Sequence, residues 1–441
     1  MADKSKILWS HSIDFLRAFS TVTYAGVPVS LPLFRDFQLF VSAHKKTAAT
    51  GREKFTHQIH KACSPYLING RSRSNFNLSG SILVRAELAP LIPKNNNISV
   101  VYLAHTKSEY NKAMKNPSCR PLYYLPKLPQ TKLPLEEEQK AMNEIAIITN
   151  AENTPPFLRS PLFVTWMKKK AAKLMSNIKR LHSLFEYHPI KKTLYGSTIN
   201  CHGALVTTFA QSRMIPTINY QHGLLGEEGH LPVNADVHLV WGNSHKQYLQ
   251  SHGAPSHLIH VVQPSFQDNV RSKKTNIKKS SKKQVLIALQ PLSHRFNKRM
   301  IKTIEAAAEK FSKHLHLTVK LHPAQSGHRL RKIITPKMTT LLPHGSVPLY
   351  DLIEQADLVV TSFSTVGYEA LLLGKPVIYY SNNPSFFYFL KNNPVCGTKQ
   401  VQYERLFKSL ILTNDSLVKT NVRDDLKDYG QKAPGLEYYL R

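Results

Sequence analysis

Two kinds of hydrophobic pattern alternate along the chain. Short, almost wholly apolar runs predict buried strands, and apolar residues spaced three and four apart predict helices packed on one face. Phe34, Phe37, Phe40 and Val41 form one such helix face. Strands are predicted in SILVRAEL from Ser81 and in Ile98 to Thr106, with a turn-rich PKNNN between them. After prolines 117, 121, 126, 129 and 134, a helix is predicted from Leu135 to Ile147. It opens on Glu136, Glu137 and Glu138, acidic residues that suit the positive end of a helix dipole. Residues 161–186 carry Met167, Ala171, Leu174, Ile178, Leu181 and Phe185 at spacings of four, three, four, three and four, a clear helical stripe. Then come a strand at Thr193 to Gly196, a helix at His202 to Arg213 and a strand at Pro216 to Asn219. A strand at Val237 to Val240 and a helix at His245 to His252 follow.

After a basic stretch the alternation restarts. Strand Gln284 to Leu289, helix Lys298 to Lys313, strand Leu317 to Leu321 and a weak strand at Thr339 to Leu342 are predicted. A helical pattern on Leu349, Leu352, Ile353 and Ala356 leads into the apolar run Leu358 to Val360. A helix on Val366, Ala370, Leu371 and Leu373 stops at Gly374, and Val377 to Tyr380 is the next strand. Regular strand–helix alternation predicts an α/β protein with doubly wound parallel sheets, a second sheet starting near Thr193. Residues 269–284 hold seven basic residues and no acid, and read as an exposed linker. The expected divisions are therefore 1–268, the linker 269–283, 284–393, and a less periodic tail 394–441 that returns to pack on the first domain.

Length and composition fit this picture. At 441 residues, with 42% hydrophobic and 20% charged positions, the chain can hold two to three folded domains. It has neither an apolar run long enough to span a bilayer nor a secretory leader pattern. The four cysteines are far apart, which suggests neither a zinc site nor a disulfide framework, and a reducing, cytoplasmic setting is expected. Lys and Arg outnumber Asp and Glu by 59 to 28, a net charge of +31. Such a charge attracts polyanions: nucleic acid, anionic lipid, or acidic glycans and nucleotide donors. Basic residues Lys168, Lys169, Lys170, Lys173, Lys179 and Arg180 lie on the long helix opposite its apolar stripe. That pattern fits either an anionic membrane surface or an ordinary core helix with a solvated outer face.

The candidate chemistry gathers where predicted strands end. Thr361, Ser362, Phe363, Ser364 and Thr365 separate a strand from a helix, where free N–H groups and the dipole favour a phosphate. A plain N-cap explains the same residues equally well. His322 and Pro323 follow another strand, and Gln221, His222 and Gly223 a third. Ligands of doubly wound sheets bind beyond the carboxyl ends of strands. No GxGxxG, P-loop, HExxH or DxD motif is present, and no histidine spacing marks a metal site.

Roughly from residue 190 to 390 the chain resembles bacterial GT-B glycosyltransferases with cytidine-activated donors. These are the HP-motif sialyl- and Kdo-type transferases and the CDP-glycerol transferases. The segments SFSTVGYEALLLGKPVI, KLHPAQ and YQHGLLG carry the resemblance, with Pro232 to Gly242 in support. Gln263 to Asp268 is only a partial match. The resemblance implies two Rossmann-like domains facing a central cleft, an acceptor side within 1–268 and a donor side within 284–393. It implies that His322, Ser362, Ser364 and Thr365 hold the donor phosphates. Ser346, Val347 and Pro348 would lie under the base and Glu369 near the ribose. The general base would be His222, or the acidic pair Glu227 and Glu228, beside the acceptor loop of Gln221 and Gly223. The implied protein is an inverting, metal-independent glycosyltransferase without a cofactor, with a nucleotide sugar as donor and a glycan or lipid-linked acceptor. Peripheral attachment to an anionic membrane is expected. A CDP-polyol phosphotransferase, a UDP-sugar transferase or 2-epimerase, and a non-enzymatic nucleic-acid-binding or scaffold protein remain alternatives. Stacking aromatics are too few among the basic residues to favour nucleic acid.

Overall fold

A computed structural model describes residues 2–44, 58–68, 79–92, 98–225, 227–264, 280–322, 325–343, 345–381, 397–412 and 433–440. The chain divides into two compact units. One comprises residues 1–240, 245–262 and 434–441, the other residues 241–244 and 263–433.

The first unit opens with a helix, Ala2–Ala18, and a two-stranded hairpin, β1 (Thr23–Tyr24) and β2 (Val27–Pro28), and is built on a seven-stranded sheet. The sheet strands are β3 (Ser81–Arg85), β4 (Val100–Ala104), β5 (Leu122–Tyr124), β6 (Ile190–Tyr195), β7 (Thr217–Tyr220), β8 (Val237–Val240) and β9 (Ile259–Val261). Their order is β5-β4-β3-β6-β7-β8-β9, and every pairing is parallel. The strands from Thr193 onward thus continue the first sheet and do not begin a second one. The helical connection between β5 and β6 returns the chain to the middle of the sheet, where β6 pairs with the far side of β3. That return is the switch point of a doubly wound fold.

Alternate residues of β3 serve opposite faces. Leu83 joins a core with helices Ser30–Ala43, Pro161–Tyr187 and Cys201–Gln211, while Ile82 and Val84 join another with Leu88, Ala113, Leu436 and Leu440. Phe15 of the unforeseen helix Ala2–Ala18 stacks on Phe37 at 4.3 Å, and Phe163 and Trp166 close the aromatic layer around them. The apolar stripe of Pro161–Tyr187 is buried as the 4-3-4 spacing predicts. On its outer face Lys170 and Lys179 pair with Asp36 and Glu138.

The second unit is a five-stranded parallel sheet: β10 (Lys283–Ala288), β11 (Leu315–Lys320), β12 (Thr339–Leu342), β13 (Leu358–Thr361) and β14 (Val377–Tyr379), in the order β12-β11-β10-β13-β14. The helix after β10 runs His294–Glu309, four residues earlier than its hydrophobic stripe predicts. The reason is its cap: the Ser293 hydroxyl accepts the Phe296 N–H at 3.2 Å. The tail is more regular than its composition predicts. Helix Gln400–Leu412 buries Tyr403 and Phe407 in the second core, while Leu436 and Leu440 lie in the first unit. Most of the basic stretch 269–283 lies outside the described residues. Among the described residues no helix is long and apolar enough to cross a membrane.

Three histidines of the first unit are buried as neutral rings. The Val233 N–H donates to His60 Nδ1 at 3.2 Å and the Ala235 N–H donates to His238 Nε2 at 3.0 Å. Burial pushes His60 down to about 4, and His238 and His245 to about 3. Below the ordinary histidine value the unfolded chain takes up protons that the folded chain refuses, so stability falls as the pH drops from about 6.5 toward 3–4. Each ring is expected to cost on the order of 1–2 kcal/mol between pH 7 and pH 5. Urea midpoints at the two pH values test this, and equal midpoints would refute it.

Candidate functional site

Both units present polar residues where parallel strands end, and each group is described within its own unit. In the second unit the groups lie around the switch point between β10 and β13. The Thr361 hydroxyl at the end of β13 donates to the Ala288 carbonyl at 2.9 Å, joining the two strands there. Ser362 and Ser364 follow, both buried. Ser364 caps helix Thr365–Leu372, its hydroxyl accepting the Val366 N–H at 3.3 Å. The capping reading of Ser364 is therefore correct, and capping leaves the site's phosphate chemistry open, because other N–H groups of the first turn remain. Glu369, one turn on, accepts from the Thr365 and Tyr350 hydroxyls. Burial raises its carboxyl, and those two bonds oppose the rise.

Neighbouring loops are tied down by Lys320 and Gln325, the two ends of the segment KLHPAQ, and by Asn297. Lys320, ending β11, donates to the carbonyls of Pro343 at 2.8 Å and Val347 at 3.1 Å, and so holds the turn with Ser346, Val347 and Pro348. The Ser346 hydroxyl donates to the same Pro343 carbonyl, and Gly345 turns the chain at φ +81°. The His322 N–H donates to Gln325 Oε1 at 3.0 Å, and Gln325 Nε2 donates to the Gln290 carbonyl at 2.6 Å. Asn297 reaches that carbonyl too, at 3.0 Å. Thus His322 stands on a loop braced against the loop that follows β10. Pro323 is outside the described residues.

In the first unit the group sits at the ends of β3, β4, β6 and β7. His222 Nδ1 is 2.9 Å from the Gly196 carbonyl. A carbonyl only accepts, so Nδ1 carries the hydrogen and a neutral His222 presents a bare Nε2. That nitrogen lies 4.0 Å from Glu87 Oε1, just past the end of β3. Arg85 pairs with Glu87 at 2.9 Å and with Glu109 at 3.2 Å, and Glu109 accepts the His105 N–H at 3.0 Å. His105 meets the Tyr195 hydroxyl at 2.9 Å and stacks on His202 with centroids 4.7 Å apart. Burial, then His202 and Arg85, hold His105 well below the ordinary value. Gln221 is buried and donates to the Gly223 carbonyl at 2.9 Å, which closes the loop around His222. Glu227 and Glu228 start the single 3-10 turn Glu227–His230. Their side chains lie outside what is described.

The structure thus places His222, Gln221 and Gly223, which the sequence singles out, in one group with Arg85, Glu87, His105 and Glu109, which it does not. For three of the last four the signal was present: in SILVRAEL and ISVVYLAHT an apolar run breaks into Arg85 and Glu87 or into His105, much as the run before Ser362 breaks into hydroxyls; Glu109 lies outside both segments. Among the described residues, no three metal-ligating side chains come together.

Residues 267–386 match the family model described as capsule polysaccharide biosynthesis protein. Curated protein sequences yield no match. A solved structure of S. aureus MnaA with UDP superposes with a TM-score of 0.50 at 16% identity, covering 79% of this chain and 91% of that one. A UDP-N-acetylglucosamine 2-epimerase structure superposes with 0.51 at 12% identity, covering 81% and 92%. The fold is of the GT-B type. Likeness at such identity establishes two Rossmann-like domains in one chain, and no activity.

The placement of His222 depends on Gly196, where any Cβ would collide with the imidazole ring. Gly223 meets nothing within 4 Å. Gly196→Ala should therefore destabilise the protein by about 1–3 kcal/mol through overpacking, with Gly223→Ala costing well under half of that. Denaturant midpoints compare them, and equal losses would show that His222 is not packed on Gly196.

Proposed function

We propose that the protein is an inverting glycosyltransferase of surface-polysaccharide synthesis that uses a nucleotide-activated sugar. The favoured donor is a CMP-activated acidic ulosonate such as sialic acid or Kdo. The observation that carries the reading is His222: its hydrogen is fixed on Nδ1 by Gly196, and its bare Nε2 stands exposed at a strand end. A base with a set tautomer in reach of solvent is what an acceptor hydroxyl needs. The family match of residues 267–386 supports polysaccharide synthesis, and a hydroxyl-rich helix start beside a braced histidine supports a phosphate-bearing donor.

In the proposed reaction the acceptor hydroxyl gives its proton to His222 Nε2 as its oxygen bonds to the anomeric carbon. The bond from that carbon to the phosphate oxygen breaks, and the electron pair leaves with CMP. Charge developing on the phosphate is met by His322 and by the hydroxyls and N–H groups of Ser362, Ser364 and Thr365. Ser346, Val347 and Pro348 would support the base, and Glu369 would serve the ribose through its surroundings of Thr365 and Tyr350. Glu227 and Glu228 remain the rival base. Because these groups supply the stabilisation, transfer is expected to persist in EDTA. The net charge of +31 suits a post on the inner face of a membrane, near anionic lipid and an acidic product.

A second reading is a UDP-sugar 2-epimerase. That reaction needs carboxylates in the sugar site, and Glu87 and Glu109 lie at strand ends of the first unit, in a fold shared with a UDP-N-acetylglucosamine 2-epimerase. A CDP-polyol phosphotransferase would use His222 and His322 and differs in preferring CDP.

Thermal shifts with CMP, CDP, UMP and UDP, without metal, separate these readings. CMP is expected to raise Tm in wild type and to lose at least tenfold in affinity in His322→Ala, while His222→Ala keeps the nucleotide and loses transfer. A preference for uridine nucleotides would move the assignment to the epimerase. Silence with all four would end the nucleotide-sugar reading.

A further inference from the structure

We infer that Glu87 acts with His222 as a two-point clamp on the acceptor. Its carboxylate takes a hydrogen bond from the hydroxyl next to the reacting one, and its charge stabilises the imidazolium that His222 becomes. The inference rests on the transferase reading and adds to it a substrate-touching residue and an acceptor class, a glycan end with two neighbouring hydroxyls.

The argument starts from which atoms hold hydrogens. Neutral His222 has one ring N–H, and that one is donated to the Gly196 carbonyl. An ionised Glu87 has none. Nε2 and Oε1 therefore face each other at 4.0 Å as two lone-pair acceptors, with no hydrogen between them. The gap is too long for a hydrogen bond; Oε1 already accepts from Arg85 at 2.9 Å and keeps a second lone pair, so each of the two atoms can take one donor from outside. Neighbouring hydroxyls of a sugar supply one donor to each. Both side chains are reachable, at 38% exposure for His222 and 31% for Glu87.

The carboxylate is also held in place. Arg85 grips Glu87 Oε1 at 2.9 Å and is itself braced by Glu109 at 3.2 Å. Glu87 follows β3, and the carbonyl that orients His222 follows β6, the partner of β3 across the switch point. The pair thus stands where the helices after these strands diverge, the usual ligand crevice of such sheets. A fixed carboxylate beside the base repels an anionic group, so neutral hydroxyls are the class it admits.

Among the described residues, Glu87 faces His222 from the end of β3 with Arg85 behind it, and the Gly196 carbonyl faces it from the end of β6. His230 comes from the turn Glu227–His230, kept uncharged near neutral pH because burial first, and then His222, pushes it down to about 4. When the acceptor proton reaches Nε2, the acceptor oxygen closes on the anomeric carbon and the phosphate leaves with its electron pair. Glu87 then faces a cation instead of a lone pair.

Glu87→Gln removes the charge and retains an accepting oxygen. In full-length protein labelled with ¹⁵N-histidine, the His222 Nε2 signal, assigned with His222→Gln, should move when a sugar with two neighbouring hydroxyls, methyl mannoside, is added to wild type, and move at least about fivefold less at the same concentration in this variant. Equal movements would overturn the clamp without reference to any activity. Transfer adds the second reading. Glu87→Gln should lower kcat/KM for the acceptor at least tenfold, and an acceptor lacking the neighbouring hydroxyl should lose as much with wild type and little more with the variant. Fully additive losses would overturn the clamp. A wild-type chain that moves no sugar would count against the transferase reading, and the ¹⁵N signal with methyl mannoside would then decide whether Glu87 and His222 share one pair of hydroxyls.

Discussion

Each unit depends on one parallel ladder, β3 with β6 in the first and β10 with β13 in the second. In both, the first strand laid down ends in the interior of the sheet because the chain leaves on one side and later returns on the other. The return costs a long connection, and it is repaid in buried apolar surface on both faces of the first strand, as with Ile82, Leu83 and Val84. It also forces adjacent strand ends to feed loops that part company. Polar side chains can collect there without breaking a ladder. In one unit a hydroxyl spans the gap, Thr361 to Ala288. In the other a carbonyl, an imidazole and a carboxylate do so, from Gly196, His222 and Glu87.

The bulk charge gives a poor account of these places. The protein carries +31, yet the end of β3 gathers Arg85, Glu87 and Glu109, in which carboxylates outnumber cations. On the long helix, Lys170 and Lys179 find acidic partners, and the apolar stripe lies in the core. Such partly exposed pairs are worth little in stability. They do bear on what the helix is for, because a stripe already buried in a core cannot also enter a lipid surface. Attraction to anionic lipid would then have to come from basic side chains alone, screened within a Debye length.

Much of this architecture was legible in the residues, for reasons that also mark where legibility ends. A strand buried on both faces is apolar throughout, as β13 is over Leu358 to Val360, and β8, β11 and β12, which are less purely apolar, also lie within two residues of their predicted bounds. The stripe of residues 161–186 could only be a helix. What periodicity cannot carry is pairing. Nothing local in Thr193 to Gly196 says that it joins β3, and so one sheet was read as two. Short edge strands such as β5 and β9 offer three residues each, too few for any period. The Ser293 cap moved a helix start because the hydrophobic stripe begins later than the helix. In the sites, the motifs exposed the residues that stand at loop centres, His222, His322 and Ser362 to Thr365. Gly196, which orients His222, comes from another strand, whereas Lys320 and Gln325 lie within KLHPAQ itself, and what the sequence does not show is the carbonyls of Pro343, Val347 and Gln290 that they reach.

The orienting group on His222 carries a chemical consequence. A carboxylate at Nδ1 would fix the tautomer and stabilise the imidazolium together, as in the triad arrangement. The Gly196 carbonyl does the first and contributes only a dipole to the second. In the proposed reaction, stabilisation of the cation must then come from whatever faces Nε2, the side from which the acceptor would arrive. Glu87 stands on that side, its carboxylate paired with Arg85. On this reading base strength and acceptor fit would both depend on one carboxylate. A hydroxyl pair that satisfies Glu87 also screens it from His222 in the ground state. As the proton moves to Nε2, the new cation and the carboxylate attract through that same pair, an interaction stronger in the transition state than before it.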